Sequence, residues 1–253
     1  MTSNCQQKPD LVLRLDPTYR SQAYDQRIRQ LVIHYTDEPL QAAIHHLVQQ
    51  GKVSAHYLLP DDPQLPAIYQ LVDDQQRAWH AGKSYWQGRH QLNDTSIGIE
   101  LVNLGCQQTP SVFQPFAAEQ INNLIKLCQH LQARYHFHPS AIVGHADIAP
   151  DRKIDPGPLF PWHTLYQAGI GAWPDQQDID DFLTSDNPLD IYWVQQQLAQ
   201  YGYPIEQTGS LDQQTKVTLS AFQMHFRPAC YDGYPDPQTC AILFALVKKY
   251  RTA

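Results

Sequence analysis

Apolar positions fall in two textures along the chain. In the first, short apolar runs alternate with longer stretches of helical spacing. "LVIHYT" predicts a core strand with His34 near its end. "DEPLQAAIHHLVQQGK" then predicts a helix: Thr36 or Asp37 as its cap, Pro39 in its first turn, Leu40, Ala43, Ile44 and Leu47 at helical spacing, and Gly51 as its stop. "SAHYLLP", "AIYQLV" and "SIGIELV" read as further strands. A long amphipathic helix runs through "PFAAEQINNLIKLCQHLQARY", with Ile121, Leu124, Ile125, Cys128 and Leu131 on one face, and "AIVGH" is a last short strand. Strands and helices in this order predict an α/β layer around a central sheet.

From about Gly169 the texture changes. "GIGAWPDQQDIDDFLTSDNPLD" is polar, acidic and punctuated, as an inter-domain segment is. Beyond it, "IYWVQQQLAQYGY", "DQQTKVTLSAFQMHF" and "PQTCAILFALVKKY" predict three amphipathic helices joined by Gly/Pro loops, a small all-α bundle that is marginal alone. The expected division is an N-terminal extension (1–30), an α/β domain (31–172), a linker (173–188) and a three-helix domain (189–253).

Composition narrows the function classes. The formal net charge is −7 with no Lys/Arg run, which argues against nucleic acid and against a polybasic membrane patch. The longest strongly apolar run, "AILFALV", falls far short of the roughly 20 residues that span a bilayer. The five cysteines include no C-x-x-C pair, so a thiolate zinc cage is not expected. Cys230 and Cys240 flank a short loop and are either a disulfide or two small buried hydrophobes.

Candidate chemistry concentrates in "IVGHADIAPDRKIDPGPLFPW". A catalytic zinc takes three protein ligands and leaves a fourth position open. His34 ends the first strand and His145 the last, so both can meet at one sheet edge, while Asp155 sits on a loop stiffened by Pro150, Pro156 and Pro158. A stiff loop loses little entropy in holding a carboxylate on a metal, and His34, His145 and Asp155 form a reasonable zinc set. Glu100, at the end of "SIGIE", is either a proton acceptor or simply the rim of the sheet. Lys153 is either a solvated lysine or, if its segment is extended, an ammonium on the same side as Asp155 that can stabilise an oxyanion. His45, His46, His90, His130, His136, His138 and His225 read as surface residues.

"VIHYT", "SAHYLLP", "AWHAG", "LNDTSIGIEL" and "GHADIAPDRKIDPGPLFPW" together resemble the type 2 zinc N-acetylmuramoyl-L-alanine amidases. "VQQQLAQYGY", "TGSLDQQT" and "AFQ" resemble a peptidoglycan-binding domain, and the likeness runs from about Leu31 to the end of the chain. The resemblance implies a mixed central sheet flanked by helices and one Zn2+ on His34, His145 and Asp155. It gives Glu100 the role of general base and Lys153 that of transition-state stabiliser. Tyr35, Trp79 and His80 would shape the substrate groove. The implied reaction is hydrolysis of the amide between the lactyl group of N-acetylmuramic acid and L-alanine, by a monomer whose partners are peptidoglycan and muropeptides. It also implies a periplasm-facing place in the cell envelope, with a lipidated Cys5 as a possible outer-membrane anchor. Two other classes remain open: a non-catalytic wall-binding protein, and a zinc peptidase cutting within the stem peptide.

Overall fold

A computed structural model describes residues 14–65, 68–107, 112–185 and 190–251. Cys5 lies outside the described residues. In chain order the strands are β1 (Gln30–Tyr35), β2 (Tyr57–Leu59), β3 (Tyr69–Gln70), β4 (Tyr85–Trp86), β5 (Arg89–His90), β6 (Ser96–Leu101), β7 (Cys106–Gln107), β8 (Val112–Phe113) and β9 (Ile142–Gly144). The helices are α1 (Leu40–Ile44), α2 (Ala118–Tyr135), α3 (His145–Ile148), α4 (Trp162–Gln167), α5 (Gln176–Thr184), α6 (Ile191–Tyr201), α7 (Gln213–Phe226) and α8 (Pro237–Arg251).

The central sheet has the order β3-β2-β6-β1-β9. Every pairing in it is parallel except β2 with β3, so it is the mixed sheet expected. Period-two alternation divides β1 between two cores. Leu31 and Ile33 face Leu124, Leu127, Cys128 and Leu131 of α2. Val32 belongs instead to a core that continues through Ala146 and Ile148 into Leu219, Phe222 and Leu246 of the C-terminal helices. The C-terminal domain therefore shares a hydrophobic core with the sheet's second face, which removes the marginality a small bundle would have alone.

Two sequence-based expectations need correction, and an alternative left open between Cys230 and Cys240 is decided. The helix after β1 starts at Leu40 behind Pro39, with no side-chain cap from Thr36 or Asp37, and widens into a π-helical turn over His45–Gln49. The 173–188 segment holds α5, whose Ile179 and Phe182 pack into the C-terminal core and whose Asp178 pairs with Lys248 of α8 at 2.6 Å. Two apolar positions in a polar, acidic stretch are too few for periodicity to declare a helix. Cys230 and Cys240 are free thiols, and burial pushes Cys240 up to about 12.

Candidate metal centre

The register of the parallel sheet builds the site. His34 lies directly across from Glu100 on β6, and Ile33 from Gly144 on β9, so His145, the next residue, arrives beside His34. All three stand at the C-terminal ends of parallel strands, where open α/β sheets place their ligands. Asp155 returns to this edge because Gly144 has no side chain: a Cβ there would lie 2.6 Å from Pro156 Cδ. Ala146 N–H donates to Asp155 O at 2.8 Å and closes the loop.

His34, His145 and Asp155 are all buried and converge. His34 Nδ1 is 2.9 Å from His145 Nδ1 and 3.2 Å from Asp155 Oδ2, and His145 Nδ1 is 3.0 Å from Asp155 Oδ2. Ligands on a tetrahedral ion with bonds of about 2.0–2.1 Å would be roughly 3.3 Å apart, close to this triangle.

The protonation state of His34 can be inferred from the network behind it. Ser96 Oγ donates to Leu92 O at 2.6 Å, so it accepts from His80 Nε2–H at 3.1 Å. His80 Nδ1 then accepts from His34 Nε2–H at 3.0 Å, which leaves His34 Nδ1 as a bare lone pair facing the triangle. Burial pushes His34 down to about 4, with His145 the next cause, and burial likewise holds His80 well below its ordinary value. Burial alone would raise Asp155, but the neighbouring His145, first of all, outweighs it and holds the carboxyl below the ordinary carboxylate range. A neutral His34 with its lone pair inward, a carboxylate and the His145 ring beside them form an N/N/O set that fits a divalent cation.

Glu100 stands next to this triangle with Oε2 buried and without a hydrogen-bond partner. Burial first, then the charge of Asp155, raises it well above the carboxylate range, while Lys153 opposes. A carboxyl so placed, held above its ordinary range, can take and return a proton. The triad and Glu100 open onto a groove of about 680 Å³ that Tyr35, Trp79 and Lys153 also line. Trp79 is half exposed under the Arg77 guanidinium, 4.0 Å from its ring centroid.

His80 lines the same groove, and both of its ring nitrogens are engaged within the protein, so it also supports His34. Its ring fits because a Cβ on Gly98 would lie 2.4 Å from His80 Cγ. A glycine inside the apolar run "SIGIEL" was the available signal, since glycine within a strand marks a close approach.

His225, read as a surface residue, is buried. Its Nδ1 lies 2.8 Å from Asp147 Oδ2, and its ring stacks between Trp162 and Phe226 at 3.8 and 3.9 Å. Asp147 also accepts from Tyr203 Oη at 2.5 Å and from Gly144 N–H at 2.7 Å. A buried carboxylate of the metal loop thus ties α3 to the C-terminal domain.

Residues 24–158 match the N-acetylmuramoyl-L-alanine amidase family, over half of the chain. The chain belongs to that family. Residues 187–243 of this amidase match a putative peptidoglycan binding domain. It is 47% identical over 246 residues to the N-acetylmuramoyl-L-alanine amidase AmiD of Escherichia coli, covering 94% of this chain and 88% of that one. It is 43% identical over 128 residues to the 1,6-anhydro-N-acetylmuramyl-L-alanine amidase AmpD of Enterobacter cloacae, covering 51% of this chain and 61% of AmpD. Among solved structures, the E. coli AmiD complex with anhydro-N-acetylmuramic acid-L-Ala-D-gamma-Glu-L-Lys superimposes with a TM-score of 0.88 at 45% identity, covering 94% and 96% of the two chains. AmpDh3 from Pseudomonas aeruginosa gives 0.88 at 41% identity, covering 95% and 100%.

Proposed function

We propose that this amidase hydrolyses the amide between the lactyl group of N-acetylmuramic acid and the L-alanine of the stem peptide, in peptidoglycan or muropeptides, for cell-wall turnover or recycling. The observation that carries the reading is the convergence, in one groove, of a buried N/N/O triad with the Glu100 carboxyl, whose Oε2 is buried and unpartnered.

One Zn2+ is the metal that suits His34, His145 and Asp155. Bound there, it would make a water nucleophilic at neutral pH and polarise the scissile carbonyl. Glu100 takes the proton of the attacking water and passes it to the departing α-amine of L-alanine, which leaves poorly unprotonated. Lys153, on the wall of the same groove, places an ammonium against the oxygen on which negative charge develops. Tyr35 and Trp79 flank the triad and shape the groove for sugar and peptide. Water adds across the C–N bond: the lactyl group leaves as a carboxylate and the peptide with a free L-alanine N-terminus.

Residues 31–172 form the catalytic unit in this reading, and 189–253 the wall-binding one. The groove is complete within one chain, as a monomeric enzyme requires. Peptidoglycan as partner places the protein in the cell envelope, facing the periplasm. Anchoring at the outer membrane through a lipidated Cys5 extends that reading; among the described residues no helix is long and apolar enough to cross a membrane.

The test is mass spectrometry of muropeptides digested by zinc-loaded wild type and Glu100→Gln. Peptides beginning with L-alanine are expected from the wild type, with a rate about 10²–10⁴ lower in the variant. Peptides beginning at an inner stem residue would make the protein a peptidase instead.

A further inference from the structure

The loop that carries Asp155 has two sides. Arg152, Lys153, Ile154 and Asp155 line the metal groove, whereas Ile148, Ala149, Pro150 and Asp151 line a second cleft of about 310 Å³. The far wall of that cleft belongs to the C-terminal domain, with Pro204, Gln214 and Val217. Its third side is the β4–β5 hairpin and Lys83.

Three sets of contacts fix this geometry. Arg152 Nη2 donates to Ala81 O and Lys83 O, both at 2.6 Å, and pins the shared loop to the segment leading into β4. Trp86 meets Tyr203 with ring centroids 4.9 Å apart, and Gln87 N–H donates to Gly202 O at 3.0 Å. Asp147 accepts from Tyr203 and lies against His225 beneath the loop. The cleft is therefore a built concavity between two domains that share one core.

Its chemistry is mixed. Ile148, Pro150, Pro204 and Val217 make it apolar, the Tyr85 and His90 rings meet edge-on at 4.9 Å, and Lys83 and Asp151 are its charged residues. Lys83 is exposed, and its ammonium makes no hydrogen bond or ion pair with the described residues.

We propose that this cleft binds the stem peptide of a second unit of the same polymer whose first unit occupies the metal groove. Such a peptide carries carboxylates for Lys83, an amine for Asp151 and alanine methyls for the apolar wall. The two concavities lie on either side of one loop, so successive units of a polymer that crosses it would meet both. The C-terminal domain thereby recognises polymer next to the reacting bond rather than at a distance. The proposal rests on the reading of the metal groove as the muropeptide site.

The experiment compares full-length, zinc-loaded wild type with Lys83→Glu and Val217→Asp on two probes, purified sacculi and single-unit muropeptides released by a muramidase. Each variant is expected to fall about five- to tenfold in co-sedimentation with sacculi and in peptide release from them, the scale of one charge altered at an interface rim. Release from single units should stay within about twofold, because neither residue lines the metal groove. Lys83→Glu alters an exposed side chain, so its result stands even if Val217→Asp fails to fold. Wild-type behaviour of Lys83→Glu on sacculi would overturn the proposal. So would an equal fall in Tyr192→Glu, an exposed change on α6 away from the cleft. If wild type releases no L-alanine peptide from single units, the amidase reading fails. Co-sedimentation, which needs no cleavage, then still decides the cleft.

Discussion

Asp147 and Asp155 are both buried carboxylates of the same loop region, and they differ in who satisfies them. Asp147 meets the Tyr203 hydroxyl, the His225 ring and the Gly144 amide, so its lone pairs are met by protein donors from both domains. Asp155 faces His34 and His145, of which at least His34 presents a lone pair, and beside it stands Glu100 with an unpartnered oxygen. Burying a carboxylate is stabilising only when donors replace water. The first cluster meets that condition within the chain and acts as a lock between domains. The second leaves inward lone pairs and an unpartnered Glu100 oxygen that a cation and its bound water would satisfy, and is therefore the candidate site.

Exchanging each aspartate for asparagine should separate these roles, with the largest effect at Asp155. Asp155→Asn is expected to lose stoichiometric metal and to lower peptide release by at least about 10³, while costing the metal-free protein less stability than Asp147→Asn does. Asp147→Asn keeps the shape but loses the charge that strengthens three hydrogen bonds, and should cost about 2–4 kcal/mol in chemical denaturation. The fraction of Asp147→Asn that remains folded should still bind zinc. Equal loss of stability in the two metal-free variants would erase the distinction.

The two clusters were unequally legible in the sequence. Asp155 could be found because prolines stiffen its loop, and His34 and His145 because strand ends are readable: an apolar run that stops on a polar residue places it at a sheet edge. Glu100 was readable for the same reason, as the end of "SIGIE". The lock was not readable, because its partners come from 56 and 78 residues away, in a domain whose docking no local pattern announces. His225 lies on α7, a helix buried on more than one face, where a polar ring looks like a surface residue until Trp162 is placed over it. The same limit hides the second part His80 plays, because its contact with His34 depends on Gly98 in another strand leaving room for its ring.

His80 offers a smaller, sharper probe of the site. His80→Phe keeps a ring in the space over Gly98 but removes the acceptor that holds His34 Nε2–H. Loss of such an orienting partner weakens metal affinity by about 10–100-fold. Competition against a chromogenic chelator should show that loss, with turnover largely recovered at saturating zinc. An unchanged affinity would mean that packing alone orients His34.

The last effect is a pH dependence, and its sign follows from burial. In the metal-free protein His34 is pushed down to about 4, whereas the unfolded chain carries an ordinary histidine near 6.5. Between those values the unfolded state binds a proton that the folded state refuses, so stability falls as pH falls from about 6.5 to about 4. His80, also held low by burial, adds to the same trend. Zinc requires the same neutral imidazoles, so acid should release the metal over this window as it loosens the fold. Denaturation of chelator-treated protein at pH 7.5 and 4.5 measures the first effect, and zinc competition at the same two values the second. The stability slope should persist in Asp147→Asn, because the histidines that refuse the proton belong to the metal cluster. Its disappearance there would show that the lock and the site titrate as one unit, and that the contrast between the two aspartates is one of position alone.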